Sequence, residues 1–190
     1  MARTRYGKHL IREGHVVDTD ITREKFEWVL STTKAKSVFE IGFNGGHSSR
    51  LWLYLRKDDP DFRLKSIDIG HHKYTKPIAE ELMEADSRFT YEEKDSRLLT
   101  NEDLKGYDLL FIDGDHSVEG VTFDLIAGIN AEVPYILVDD YNSRGWQGRL
   151  KETVDRIEKR DDIPYTWIVD KLHYDSSNGI NRMRLMQRNE

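Results

Sequence analysis

The chain contains no cysteine, and only four prolines occur among its 190 residues. The absence of cysteine excludes disulfide bonds, thiolate metal ligands and cysteine nucleophiles. No window approaches the roughly 18 consecutive apolar residues of a membrane-spanning helix. The N-terminus also has no apolar stretch typical of a secretory signal, and we therefore expect a cytoplasmic protein.

An excess of basic residues is also missing. The formal net charge is −6 and the isoelectric point is about 5.7, which argues against a general nucleic-acid-binding surface. Hydrophobic residues make up 37% of the chain and aromatic residues 11%, as in globular proteins. The length favours one domain over residues 1–190, with residues 1–19 as an N-terminal arm placed to act as a substrate lid.

Segments with helical and with strand-like apolar patterns alternate along the chain. Helices are predicted over residues 20–33, over HSSRLWLYLRK and KPIAEELMEA, along the stripe Val118, Val121, Leu125 and Ile129, and around Leu150, Val154 and Ile157. Strands are predicted at SVFEIG, RLKSIDIG, FTYEEKDS, YDLLFID, VPYILVDD, YTWIVD and INRMRLMQR.

These segments predict an α/β fold. The first five strands alternate with helices and are nearly continuous in apolar residues, which is typical of a parallel sheet buried on both faces. The last two strands flank a polar stretch with Asn178-Gly179 and predict an antiparallel pair. We therefore predict a doubly wound, mostly parallel seven-stranded sheet with helices on both faces and an antiparallel C-terminal edge pair.

Each of the five predicted parallel strands ends in an acidic residue. These residues are Glu40, Asp68, Asp95, Asp113 and the pair Asp139-Asp140. Ligands of such sheets bind beyond the carboxyl ends of the strands, so all of these carboxylates are expected to face one crevice. A single acid there is equally well explained as a helix cap. Several acids together repel phosphate and favour a cation, either a metal or a positively charged organic ligand.

The glycine-containing stretch EIGFNGGHSS follows the first strand and opens a helix, as dinucleotide-binding loops do, although its spacing is not G-x-G-x-x-G. Asp68, at the end of the second strand, is placed to accept hydrogen bonds from ribose hydroxyls. A glycine loop, a ribose acid and an acidic crevice together indicate a cationic nucleoside without a pyrophosphate. S-adenosylmethionine fits this description, whereas NAD and ATP do not.

Five segments carry a resemblance to a known family. They are VFEIGFNGGHSSRLWL, LKSIDIG, EKDS, YDLLFIDGDHSVEGVTFDL and YILVDDYN. In order and spacing, the chain resembles the class I S-adenosylmethionine-dependent methyltransferases, over roughly residues 36–142. The match is best to the branch whose fourth strand ends in I-D-G-x-H-x-Y-E-G-V, with Val118 standing where that branch has tyrosine. The resemblance implies a Rossmann-like methyltransferase fold.

The resemblance also implies a set of cofactor-binding residues. Those beside the methionine moiety of the cofactor are Glu40, Gly42, Asn44 and Gly45. Asp68 is the expected ribose ligand, and Asp95 and Ser96 are expected to flank the adenine. Asp113 is expected next to the methyl group that is transferred.

A second cofactor is implied by related metal-dependent O-methyltransferases. These enzymes hold a divalent ion with an acid after strand four and an Asp-Asn pair after strand five. The matching residues are Asp113, Asp139 and Asp140, so the pair ends here in aspartate rather than asparagine. This departure leaves the use of a metal open, although a cluster of aspartate oxygens suits Mg²⁺ or another divalent cation.

Methyl transfer to a hydroxyl group requires alignment of donor and acceptor and removal of a proton. His116 titrates near neutrality and is the first candidate for the general base, beside Asp113. A metal held by Asp113, Asp139 and Asp140 is the alternative way to activate the hydroxyl. Equally, His116 is explained as a helix-start residue bonded to a neighbouring carboxylate. Tyr141 and Trp146, just past the fifth strand, are expected to pack rather than to line an acceptor pocket.

The sequence therefore predicts an S-adenosylmethionine-dependent methyltransferase that acts on a small molecule, at a hydroxyl oxygen. Two other functions stay open. Asp113-x-Asp115 matches the D-x-D of metal-dependent nucleotide-sugar glycosyltransferases, and a chain this short also suits a non-catalytic S-adenosylmethionine-binding domain. The expected partners are a small-molecule methyl acceptor and, in a homodimer, a second copy of the chain. Nucleic acid and membranes are not expected partners.

Overall fold

The computed structural model describes residues 19–141, 149–168 and 183–189, which contain one seven-stranded sheet. The strands, β1 to β7 in chain order, are Ser37–Ile41, Arg63–Asp68, Phe89–Glu93, Leu109–Ile112, Tyr135–Val138, Tyr165–Trp167 and Arg184–Arg188. Their spatial order is β3-β2-β1-β4-β5-β7-β6, with β1 to β5 parallel and β7 antiparallel to both of its neighbours. The predicted sheet and its antiparallel edge pair are confirmed.

Helices connect the parallel strands. Those in the described residues, α1 to α6 in chain order, are Asp20–Thr33, His47–Leu55, Thr75–Ala85, Asn101–Leu104, Val118–Asn130 and Arg149–Glu158. A 3₁₀ turn, Ser96–Leu98, follows β3. Side-chain oxygens cap the N-termini of α1 and α5. The Thr19 hydroxyl accepts the N–H of Thr22 at α1, and the Ser117 hydroxyl accepts the N–H of Gly120 at α5.

The core consists of two layers, one on each face of the sheet. Successive side chains of a strand point to opposite faces, and in β4 both sets are buried. Leu109 and Phe111 pack with residues of α1, α2 and α3, whereas Leu110 and Ile112 pack with residues of α5 and α6. Burial on both faces explains why the β4 segment is apolar throughout.

The register of the parallel strands brings their carboxyl ends into one row. Ile41 of β1 pairs with Ile67 of β2 and with Ile112 of β4, and Ile112 pairs in turn with Val138 of β5. The strand order also reverses between β1 and β4, since the chain proceeds outward from each in opposite directions. A crevice forms at such a reversal, and ligands of doubly wound sheets bind there.

Several sequence predictions lie outside the described residues. These are most of the N-terminal arm, Trp146 and the polar stretch at Asn178-Gly179. In the part of the chain that the structure describes, no helix combines the length and the apolar character needed to cross a bilayer.

Replacing Phe111 by alanine should lower the free energy of unfolding by about 3–5 kcal/mol, because it removes a large side chain from a close-packed core. Phe111 is fully buried, and its ring lies 5.6 Å from that of Trp52, centroid to centroid. Phe123→Ala is the matched control, since Phe123 is 48% exposed. Urea denaturation of both variants measures the difference, and equal losses would contradict the assignment of Phe111 to the core.

Candidate active site

A cavity of about 730 Å³ opens at the carboxyl ends of the parallel strands, within the range typical of small-molecule sites. Each parallel strand contributes to its wall through the residues that follow it. The predicted site residues that line the cavity are Gly42, Asn44, Gly45, Asp68, Asp95, Ser96, Asp113, His116, Asp139 and Asp140. Glu40 is the one predicted site residue that does not line it. The structure thus brings ten of the eleven predicted site residues together.

The glycine loop after β1 lies directly against the exit of β4. Gly42 adopts a φ of +99°, which L side chains rarely adopt, and a Cβ added to it would stand 2.0 Å from the carbonyl oxygen of Asp113. A side chain is therefore excluded at this position for two independent reasons. The close approach places the loop and Asp113 on the same wall of the cavity.

The Asp68 carboxylate is held by two backbone N–H groups. The N–H of Asn44 donates to Oδ2 at 2.8 Å, and the N–H of Gly70 donates to Oδ1 at 2.8 Å. An ionised carboxylate has about four lone-pair sites, so both oxygens retain acceptor capacity. The residue is half-buried and lines the cavity, with an orientation that the backbone defines.

Glu40 is the last residue but one of β1 and is fully buried. Its Oε1 accepts a hydrogen bond of 2.5 Å from the Ser48 hydroxyl, and its Oε2 accepts bonds from the hydroxyls of Ser49 and Ser66. Burial raises the pKa of Glu40 from 4.5 to about 7, although the three hydroxyl donors favour the charged form. Its contact with the methionine moiety stays a prediction.

Asp95 and Ser96 form the wall after β3. Asp95 caps the 3₁₀ turn by accepting the backbone N–H of Arg97, and its carboxylate also pairs with the Arg97 guanidinium at 2.6 Å. These hydrogen bonds hold the pKa of Asp95 below its usual range. The charge of Arg97, which also lines the cavity, is therefore matched by a neighbouring carboxylate.

His116 lies between two carboxylates. Its Nε2 is 3.3 Å from Oδ1 of Asp113, and its Nδ1 is 3.7 Å from Oδ2 of Asp140. Burial lowers the pKa of His116, but the hydrogen bond to Asp113 and the charges of Asp113, Asp140 and Asp139 outweigh burial, so the net shift is upward.

Two carboxyl groups near this imidazole have raised pKa values. Burial raises the pKa of Asp113, with His116 opposing the shift and Asp140 adding to it. Burial raises the pKa of Asp139 well above its usual range, and repulsion from Asp113 and Asp140 adds to this shift. A positive charge near these three aspartates is therefore favourable, whereas a further negative charge is unfavourable.

Two polar residues near the cavity were not predicted from the sequence. Asp124 on α5 is fully buried, burial raises its pKa to about 6, and its Oδ2 lies 3.6 Å from where a Cβ on Gly114 would stand. Its sequence signal is a charged residue on the same helical face as Val121 and Leu125. The second residue is Tyr74, whose hydroxyl donates to Oδ1 of Asn44 at 2.7 Å. Nothing in the local sequence indicates this contact.

Three further histidines line the cavity, whereas Tyr141, which follows β5, packs in the core. His47, His71 and His72 line the cavity. Tyr141 is 5% exposed, packs in the core with Trp167 and donates a hydrogen bond to Asp155. It packs as expected and is absent from the lining. Trp146 lies outside the described residues.

A family model described as a methyltransferase domain matches residues 39–141. The matched range contains β2 to β5, the last three residues of β1 and all residues that line the cavity. The chain belongs to this methyltransferase family. A comparison of the sequence with curated proteins found no match. The family match confirms the predicted methyltransferase class. It does not test the branch with the I-D-G-x-H-x-Y-E-G-V motif.

Solved structures share the methyltransferase fold at low sequence identity. A Klebsiella pneumoniae protein with a provisional O-methyltransferase designation has a TM-score of 0.70 and 20% identity, covering 93% of this chain and 84% of its own. A Podospora anserina methyltransferase with bound S-adenosylhomocysteine gives 0.66 and 15%, covering 92% and 80%. TomG from Streptomyces achromogenes, an O-methyltransferase of tomaymycin synthesis in complex with S-adenosylmethionine, gives 0.59 and 18%, covering 90% and 81%.

Replacing Glu40 by glutamine should flatten the dependence of stability on pH. A carboxyl whose pKa rises from 4.5 to about 7 on folding binds more protons in the folded state, so its stabilising contribution is lost as pH rises through that window. The wild type should therefore lose about 2.5 kcal/mol relative to Glu40→Gln between pH 5 and pH 8, at about 1.4 kcal/mol per pKa unit.

Urea denaturation at both pH values measures this difference. Glu81→Gln, which changes an exposed glutamate on α3, is the matched control and should follow the wild type. Parallel pH curves for wild type and Glu40→Gln would contradict a proton taken up by Glu40 on folding.

Proposed function

We propose that the chain is an S-adenosylmethionine-dependent methyltransferase that transfers a methyl group to a hydroxyl oxygen of a small molecule. The observation that carries this proposal is the acidic cavity at the switch point of the sheet. Its lining contains six aspartates, and its two fully charged basic residues, Lys94 and Arg97, are each paired with a carboxylate. Such a cavity favours a cationic nucleoside over a nucleotide phosphate.

The residues at the cavity fit the cofactor. The Asp68 carboxylate, oriented by backbone N–H groups, retains acceptor sites for a ribose diol. Asp95 and Ser96 border the expected adenine position, and Gly42, Asn44 and Gly45 form the loop expected beside the methionine moiety. Bound there, S-adenosylmethionine supplies an electrophilic methyl group on a sulfonium. The relatives solved with this cofactor or its product support the assignment.

The protein contributes alignment, charge and proton removal. Asp113 stabilises positive charge beside the reacting atoms, and its main chain lies directly against Gly42 of the loop expected to bind the cofactor. His116 acts as general base and accepts the proton of the acceptor hydroxyl as the O–C bond forms. The bond between the methyl carbon and the sulfonium sulfur would break at the same time, with S-adenosylhomocysteine as the leaving group. Its neighbouring carboxylates raise its basicity and stabilise the imidazolium that results. Oxygen as the accepting atom is supported by the O-methyltransferases among the structural relatives.

Metal assistance at Asp113, Asp139 and Asp140 stays a prediction from the family resemblance. The described residues contain no group of three or more acidic or histidine side chains arranged to hold a metal ion. Instead, the imidazole of His116 lies within ion-pair distance of two of the three expected ligands. We assign no step to a metal.

A glycosyltransferase is not favoured. The second aspartate of the D-x-D, Asp115, accepts the N–H and the hydroxyl of Ser117 at the start of α5, each at 2.9 Å, so its place in the sequence is explained by the beginning of this helix. The surrounding acids oppose a diphosphate. A non-catalytic cofactor-binding domain is distinguished by binding without methyl transfer to any hydroxylated acceptor. The N-terminal arm over residues 1–19 remains our proposal for the acceptor lid.

Asp68→Ala should weaken binding of S-adenosylhomocysteine by at least about tenfold, because it removes a charged acceptor of two ribose hydrogen bonds. Isothermal titration calorimetry measures the change. Asp61→Ala, at an exposed aspartate just before β2, is the control and should bind as the wild type does. Unchanged affinity in Asp68→Ala would remove the ribose assignment.

His116→Ala should lower kcat by about 10²–10⁴-fold, as expected for the loss of a general base, and change the affinity for S-adenosylhomocysteine by less than about threefold. The assay uses any acceptor that the wild type methylates in a panel of phenols, catechols and sugars. Added imidazole should restore part of the rate. In the wild type, the rate should rise with pH through a pKa above 6.5, the ordinary value of histidine. Full activity of His116→Ala in the absence of added imidazole would falsify the role of His116.

A further inference from the structure

The side chain of Tyr74 reaches from the start of α3 to the glycine loop. Its hydroxyl donates a hydrogen bond of 2.7 Å to Oδ1 of Asn44, thirty residues earlier in the chain. The Tyr74 ring is half-buried and stacks on the imidazole of His72, with 4.9 Å between ring centroids and an interplanar angle of 4°. Ring and hydroxyl thus make separate contacts, and a substitution can remove the second while keeping the first.

Asn44 connects this contact to Asp68. Its backbone adopts a φ of +46°, a left-handed conformation that non-glycine residues adopt at some cost. In that conformation its N–H donates to Oδ2 of Asp68 at 2.8 Å. One residue therefore has its side chain held by Tyr74 and uses its main chain to hold the acid that borders the cavity.

We propose that Tyr74 is a positioning residue which, through Asn44, sets the Asp68 carboxylate for the 2′- and 3′-hydroxyls of the cofactor ribose. This inference rests on the proposed function, since it assigns Asp68 to a ribose. The hydroxyl of Tyr74 restrains the Asn44 side chain, and with it the peptide group whose N–H orients one carboxylate oxygen. Gly70 orients the other oxygen through its own N–H, so the acid is fixed from both sides before ligand binds.

Preorganisation of this kind affects one part of the ligand. The ribose hydroxyls bind Asp68 directly, whereas the adenine and the methionine moiety are expected beside Ser96 and Gly45. Loss of the Tyr74 hydroxyl should therefore reduce the selectivity for a ribose over a 2′,3′-dideoxyribose, with little effect on a ligand that lacks both hydroxyls. A tyrosine that only packs against α3 and His72 would show no such selectivity.

The test compares S-adenosylhomocysteine with its 2′,3′-dideoxy analogue by calorimetry, in the wild type, in Tyr74→Phe and in Tyr54→Phe. Tyr54 is 52% exposed on α2 and serves as the matched control for the loss of a phenol hydroxyl. We expect the wild type and Tyr54→Phe to prefer the ribose ligand by about tenfold or more. In Tyr74→Phe this preference should fall by at least threefold, while the affinity for the dideoxy analogue stays within about twofold of the wild-type value.

Asn44→Gly provides a second variant, because glycine keeps the left-handed backbone and the N–H but lacks the acceptor that Tyr74 binds. It should lose the same selectivity, and the double variant Tyr74→Phe/Asn44→Gly should lose no more than either single variant. Additive losses, an unchanged preference in Tyr74→Phe, or equal weakening of both ligands would overturn the inference. If the wild type itself fails to bind S-adenosylhomocysteine, the proposed function fails and the inference fails with it.

Discussion

The in-register pairing of the parallel strands is the constraint on which the site depends. The N–H of Asp113 bonds to the carbonyl of Ile41 at 2.8 Å, and the N–H of Asp139 bonds to that of Ile112 at 2.9 Å. Because these backbone groups are buried, a strand cannot slip without leaving several of them unpaired. The residues after each strand are therefore held in one row, and a cavity can be built from segments that are far apart in the chain.

Gathering carboxylates in that row costs free energy, since burial and mutual repulsion both disfavour the charged forms. The protein offsets this cost differently at each residue. Backbone N–H groups hold Asp68, the guanidinium of Arg97 holds Asp95, and the imidazole of His116 lies beside Asp113. A cationic ligand adds to this compensation, whereas a phosphate opposes it. The same electrostatics that burden the folded protein thus select the class of ligand.

Much of this could be predicted because it is local in sequence. The apolar run at Leu109–Ile112 and the acid that follows it specify a buried strand and its exit without reference to the rest of the chain. Glu40 shows where such reasoning ends. It lies inside β1, and only the pairing of Glu40 with Ser66 and the return of Ser48 and Ser49 along α2 enclose it in hydroxyl groups. A strand-end acid expected in the crevice is therefore buried and absent from the cavity lining.

By itself, the sequence determined the order of the strands and of the longer helices, the acids near the strand exits and the family, because periodicity and motifs are carried by neighbouring residues. The short helix α4 was not predicted. Only the tertiary structure decided which polar groups meet. The hydrogen bond of Tyr74 to Asn44 and the approach of His116 to Asp140 depend on how separate strands and loops meet. Such partners are set by the packing of the whole sheet, since contacts between distant segments leave no pattern within either one.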